Sequence, residues 1–265
     1  MSPTATAMIG SAVAIAVVML TTWVVSLPLR NASIVDLVWG LGFVVVAWTV
    51  RATVHGDPVR QWILVAMVTV WGLRLSLYLA WRNLGHGEDY RYQAMRRHWG
   101  SRLWIVSLAT VFLLQGVLMW IVSIGVQLGQ VPTSPGIGVL TGVGLAVWAV
   151  GLGFEAIGDA QLARFKADPA NAGTTMNRGL WRYTRHPNYF GDALVWWGIA
   201  LVAAESGLGA FGLVGAAVMT LFLRRVSGVT LLERSLKKRR AGYEDYIATT
   251  SPFVPRPPRR APGGG

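Results

Sequence analysis

Residues 179–192 read GLWRYTRHPNYFGD, a stretch that crowds cations, aromatics, a proline and an acid between two apolar segments. Arg182, Arg185 and His186 supply positive donors, while Tyr183 and Tyr189 supply flat faces with hydroxyls. Proline disfavours the helical conformation of the residue before it, which keeps His186 extended. It also suits the first position of a helix, which places Asn188 in that helix's first turn. Helix amides beside guanidinium groups make an anion site. The same cations would also fit a cytoplasmic loop obeying the positive-inside rule, which needs no ligand. The interleaved aromatics and Asp192 favour the anion site.

The flanks of this stretch decide the fold class. A chain of 265 residues that is 53% hydrophobic and 14% charged, with mean hydropathy +0.47, cannot hide its apolar surface in one soluble core. The expectation is an all-α polytopic membrane bundle. Apolar windows fall at about 5–28, 34–54, 61–81, 103–128, 136–158, 190–204 and 207–223, judged against the roughly 20 residues a spanning helix needs. That makes seven spans. The last two are short and split by Glu205 and Gly207, so a tight helical hairpin, and a total of six, is the alternative. Residues 1–252 read as one transmembrane domain, and the Pro/Arg/Gly-rich 253–265 as a disordered tail. Residues 4–29 carry no charge, follow no basic segment and run too long for a signal peptide, which predicts a retained first helix.

The formal net charge of +12 would suggest nucleic acid in a soluble domain, but here the cations border spans and give orientation instead. Arg82, Arg91, Arg96, Arg97 and Arg102 lie between the third and fourth windows. Arg164, Lys166, Arg178, Arg182 and Arg185 follow the fifth, and the segment from Arg224 is densely basic. These three regions are placed in the cytoplasm, while the uncharged Leu128–Pro135 loop and the Glu205 link face outward. The N-terminus is then outside and the C-terminus inside. There is no cysteine, so thiolate chemistry is absent, and His55, His86, His98 and His186 show no metal-ligand spacing. No feature of the sequence speaks to oligomeric state.

Ionisable residues near membrane depth are costly and point to function. Asp36 follows Ser33 by three, and SIVD fits a capping box; the other reading makes Asp36 a carboxylate that tunes a catalytic neighbour. Arg74, Tyr78 and Arg82 recur every four residues and share one helical stripe. Arg74 lies about 12 Å deeper than Arg82 at the helical rise of 1.5 Å per residue, too deep for easy snorkelling. Tyr78, between two cations, is either a proton donor or part of an interfacial aromatic belt. Glu155 and Asp159 share a face near Arg164 and Lys166: either a ribose-binding acid followed by phosphate-binding cations, or a solvated helix end. Glu233, Tyr243 and Tyr246 lie in LLERSLKKRRAGYEDYIATTSPF, where Leu231, Leu232 and Leu236 suggest a short amphipathic helix, read as a lipid-bound interfacial segment or as a lid. Glycines 138, 142, 144, 151 and 153 sit inside an apolar window with no strand before them, so they predict close helix packing, not a dinucleotide fingerprint.

RHPNYFGD resembles the R-H-P-N-Y-x-G-D motif of membrane sterol reductases. With SIVDLVWG, WGLRLSLYLAWRNLGHGEDYRYQ and the terminal YEDY, the chain is similar over roughly residues 30–255 to a bacterial family of unknown function grouped with the steroid 5-alpha-reductase C-terminal fold. That resemblance implies a seven-helix enzyme of the bacterial inner membrane whose NADPH pocket opens to the cytosol and whose substrate is a steroid-like or other unsaturated lipid from the bilayer. It gives Tyr78 the role of the catalytic tyrosine; Asp36 or Arg74, its charged neighbours in our own reading, would orient it. It gives Asn188 and Asp192 cofactor-pocket positions, Asp159 and Arg164 the adenosine side, and Tyr246 a C-terminal clamp. Lys166, Arg182 and Arg185 would neutralise cofactor phosphates, with His186, Tyr189, Glu233 and Tyr243 completing the cofactor-binding set. The glutamine–glutamate pair of those reductases is missing; Asp36 and Trp39 stand in its neighbourhood. The same block, with E-x-x-L followed by Y-x-x-Y, is also similar to isoprenylcysteine carboxyl methyltransferases, which bind S-adenosylmethionine, though the final acid favours the reductases. A non-catalytic lipid-binding membrane protein is the third reading.

Overall fold

The structure, a computed structural model, describes residues 1–134, 136–226, 229, 233 and 242–259. Six helical stretches are long and apolar enough to cross a membrane: Pro3–Leu29, Ile34–Thr53, Pro58–Asn83, Tyr90–Val122, Val139–Ala167 and Leu208–Arg225. We label the helices α1 (Pro3–Leu29), α2 (Ile34–Thr53), α3 (Pro58–Asn83), α4 (Tyr90–Trp99), α5 (Leu103–Ser107), α6 (Leu114–Val122), α7 (Ile124–Gly129), α8 (Val139–Ala167), α9 (Pro187–Ala204) and α10 (Gly212–Leu221). The expected sixth span is α9, a helix that falls outside those six; its polar first turn, PNYFGD, lowers its apolarity. No strand occurs among the described residues; Thr184 and Ser251 form an isolated parallel bridge.

By its internal contacts the chain divides into two compact units. The first comprises Met1–Val143 and Ile199–Gly215, the second Gly144–Gly198 and Ala216–Gly265.

In the first unit, α2 packs on both α1 and α3. The inner face of α1 is Ala7, Ser11, Ile15, Met19, Thr22 and Ser26, spaced three or four apart, and Ser11 and Thr22 each donate a hydroxyl to the carbonyl one turn back. Ile9, Val13, Val17 and Val24 are more than half exposed on the other face. Small residues inward and branched apolar ones outward suit a helix surrounded by lipid. The α2–α3 contact is closest at Gly40 and Gly72, where a methyl group on either would lie 2.4–2.6 Å from the other's carbonyl oxygen. Arg60, 1% exposed, ties α3 to the loop after α7 by donating to the carbonyls of Gly129, Pro132 and Ser134.

In the second unit, the glycine-rich face of α8 meets α9. Gly144, Gly151 and Gly158 recur every seven residues, and their nearest α9 neighbours are Gly198, then Gly191 with Val195, then Pro187 with Asn188. The order is that of antiparallel helices; of the five glycines expected to pack, Gly144 and Gly151 meet α9, while Gly138 meets the Glu205 side chain. Of the remaining two α8 glycines, Gly142 and Gly153 face open space. α8 continues nine residues beyond the expected end, which carries Glu155, Asp159, Arg164 and Lys166 on the helix itself.

The segment after Pro252 is a correction. Residues 253–259 are tied to the body: Thr184 Oγ1 donates to the Phe253 carbonyl at 2.8 Å, the Arg256 amide donates to the Tyr183 carbonyl at 3.0 Å, and Phe253 packs with Ala193 and Val229. One buried aromatic and the backbone bonds outweigh what the Pro/Arg composition suggested. Residues 260–265 lie outside the described residues, as do Leu231, Leu232 and Leu236 of the expected amphipathic pattern.

Candidate functional site

The 179–192 block is built from both sides. A left-handed Gly179 (φ +58°) opens a 3-10 turn, Gly179–Arg182, and a side chain at 179 would collide with Gln161; glycine suits both conditions. The Leu180 amide donates to Gln161 Oε1 at 3.0 Å, and Trp181 Nε1 donates to the Gly158 carbonyl at 3.0 Å. The turn is thereby docked on α8, which brings exposed Arg178 and Arg182 to the helix end that carries exposed Arg164 and Lys166. α9 then starts at Pro187, as the proline predicts.

Inside this rim sits a buried acid. Asp159 is 4% exposed and accepts a hydrogen bond from Asn188 Nδ2 at 3.1 Å, so a helix-end carboxylate fixes the amide in the first turn of α9. Glu155, one turn back, is equally buried. These acids are enclosed, not solvated at a helix end.

Arg185 and His186 take a different place from the one expected. Arg185 is 7% exposed. Its Nε and Nη2 donate to the two carboxylate oxygens of Glu233 at 2.7 and 3.1 Å, and its Nη1 donates to the carbonyls of Ile247, at 3.1 Å, and Thr250. His186 Nε2 lies 3.0 Å from Glu233 Oε1, with the ring stacked on Tyr189. Burial outweighs the neighbouring carboxylate and pushes the His186 pKa down, favouring the neutral ring. Burial works against the Glu233 charge, but the hydrogen bonds from His186 and Arg185 hold that carboxyl below its ordinary range. The triad is an internal fastening of the block, not a set of cations turned toward a phosphate.

The C-terminal segment completes the fastening. Tyr246 donates its hydroxyl to the Trp181 carbonyl, and the Arg185 amide donates to the Ser251 carbonyl at 2.9 Å. Tyr243 and Tyr246 are 4% and 7% exposed. Burial drives both phenol pKa values up, that of Tyr243 to about 12, and keeps both protonated.

The three catalytic candidates belong to the first unit. Arg74 and Arg82 place their guanidinium carbons 5.4 and 5.8 Å from the Tyr78 ring centroid, the single stripe the sequence predicts. Asp36 corrects the capping-box reading. Ser33 is helical and makes no side-chain cap, and the Asp36 carboxylate instead accepts from Arg91 Nη2 at 2.8 Å and the Tyr92 hydroxyl at 3.0 Å. A cation and a phenol are stronger donors than a backbone amide, so the acid turns to α4. Beside it, Glu88 accepts from Arg96 and from the Ala32 amide, and those bonds overcome partial burial to hold its carboxyl below the ordinary range.

Sequence reading missed Gln161, Trp181, Arg91 and Tyr92. The first two are visible only once the 179–182 turn is known to fold back on α8; the others lie 55 and 56 residues from Asp36, beyond any local pattern.

A family model describing a protein of unknown function, DUF1295, matches residues 22–250. The chain belongs to the DUF1295 family. DUF1295 proteins fall within the steroid 5-alpha-reductase-like superfamily, and the match takes in every residue of the rim, the triad and the Tyr78 stripe. Neither curated proteins nor solved structures give a match to this DUF1295 chain.

Proposed function

We propose that this DUF1295 protein is a membrane reductase that uses NADPH to saturate an activated carbon–carbon double bond in a lipid. The observation that carries the reading is the basic rim of the second unit, where exposed Arg164, Lys166, Arg178 and Arg182 flank the enclosed Asp159–Asn188 pair. The donor set fits a phosphorylated dinucleotide: guanidinium forks suit phosphate oxygens, and an amide fixed by a buried acid suits a ribose hydroxyl. Arg185, His186, Tyr189, Glu233, Tyr243 and Tyr246 shape this rim from within, while Asp192 sits in the α9 turn beyond Asn188.

NADPH supplies the hydride when bound. Tyr78 hydrogen-bonds the substrate carbonyl as negative charge gathers on it, and Arg74 and Arg82 over its ring favour that donation. Asp36 holds Tyr92 and Arg91 in place at the start of α2. The arginine-rich segments face the cytoplasm of a bacterial inner membrane, so a water-soluble cofactor reaches the rim while the lipid arrives through the bilayer.

The test is the melting of the purified protein in detergent with NADPH, NADH or S-adenosylmethionine. A ligand that binds only the folded chain raises Tm by mass action. NADPH should stabilise most, and Arg182→Ala should weaken that effect. Stabilisation by S-adenosylmethionine alone would transfer the protein to the methyltransferase class, and no response to any of the three would leave a lipid-binding role.

A further inference from the structure

α10 ends in a π-helical turn, Phe222–Val226, that carries Arg224 and Arg225. A π turn widens a helix at one point and turns adjacent side chains out of register, a device often found at binding sites. Beside it lies a cavity of about 190 Å³ lined by Arg224, Arg225, Val229, Pro252 and Phe253. Its floor is apolar: Phe253 is 5% exposed and packs with Ala193 and Val229. Its rim is cationic: both arginines are exposed, and the Arg224 guanidinium carbon lies 5.5 Å from the Phe253 ring centroid.

Two exposed cations beside an aromatic and aliphatic lining select a ligand whose negative head continues into something greasy. The cavity is smaller than the roughly 300–1,000 Å³ of a cofactor-sized pocket, so it admits a phosphate and a few attached atoms, not a dinucleotide. We propose that this hollow binds the headgroup of an anionic phospholipid, the phosphate on Arg224 and Arg225 and the glycerol backbone against Val229, Pro252 and Phe253. It is separate from the Arg164–Arg182 rim and does not depend on the reductase reading.

The experiment uses the full chain in non-ionic detergent and follows melting against dihexanoyl-phosphatidylglycerol, dihexanoyl-phosphatidylcholine and inorganic phosphate. The phosphatidylglycerol should raise Tm saturably, with the other two producing much smaller shifts. The double variant Arg224→Gln/Arg225→Gln should need at least tenfold more phosphatidylglycerol for the same shift, and Arg164→Gln should need no more than the parent. If the double variant does not fold, Arg225→Glu alone must show the tenfold loss. Unchanged affinity in these variants overturns the site; equal responses to phosphatidylglycerol and phosphatidylcholine, or a full response to inorganic phosphate, overturn its ligand. An equal loss of NADPH stabilisation in the double variant would assign the hollow to the cofactor, ending this inference while leaving the reductase reading intact.

Discussion

Gly191 and Gly151 bring α9 and α8 to backbone contact: a methyl group at 191 would lie 2.5 Å from the Gly151 carbonyl oxygen and 2.4 Å from the Glu155 amide nitrogen. Backbone cannot move aside as a flexible side chain can, so the helices must part to admit it. Gly191→Ala should therefore lower stability by about 2 kcal/mol or more, within the range for overpacking. Gly142→Ala, on α8 but facing open space, should stabilise by about 0.4–1 kcal/mol through the unfolded chain's lost freedom. Melting of the two variants in detergent checks the pair, and equal effects would contradict the antiparallel glycine contact.

Acid should loosen the Arg185–Glu233–His186 fastening. The folded chain keeps His186 neutral below the ordinary 6.5, whereas the unfolded chain takes up the proton, so stability falls as pH drops from 6.5 toward the lowered folded value. Glu233 adds to this. Its lowered pKa gives stability that is complete above the ordinary 4.5 and is lost as pH falls through the folded value. Tm measured against pH should decline from 6.5 downward, and His186→Gln should flatten the upper part of that decline.

Glu205 closes the N-terminus of α8. Its Oε2 accepts from the Thr141 amide at 2.7 Å and the Thr141 hydroxyl at 3.2 Å, where a negative charge also favours the helix dipole. Glu205→Ala should cost about 0.5–2 kcal/mol, the range for losing a cap, and Glu205→Gln, which keeps an acceptor, should cost less. Chemical denaturation in mixed micelles would rank them.

Removing the Tyr246 hydroxyl leaves the buried Trp181 carbonyl without its donor. Tyr246→Phe should cost about 1–3 kcal/mol and speed amide exchange in residues 179–184. Exchange unchanged there would mean that the turn is held from the α8 side alone, through Gln161 and Trp181.

Periodicity and composition made the helices legible, since apolar windows and the Pro187 start depend on local chain chemistry. The α8 glycine stripe was legible for the same reason: small residues inside an apolar run leave few uses but close packing. The partners of Asp36 and Arg185 were not, because each is set by a fold-back across many residues. Asp36 had a plausible local partner in Ser33 and took a distant one that is a better donor. Arg185, read as a ligand-facing cation, turned inward because Glu233 and two carbonyls converge on it. Phe253 shows the same limit from the other direction, one buried ring ordering a segment whose composition reads as disordered.

Because the Thr184 and Arg185 backbone is bonded by residues 251–253, and the Arg185 side chain by residues 233–250, the block cannot finish assembling when its own codons have been translated. It must wait until the chain has been made as far as Phe253. A premature stop after Glu233 would leave a polypeptide able to insert its helices yet unable to set the Arg-His-Pro-Asn turn.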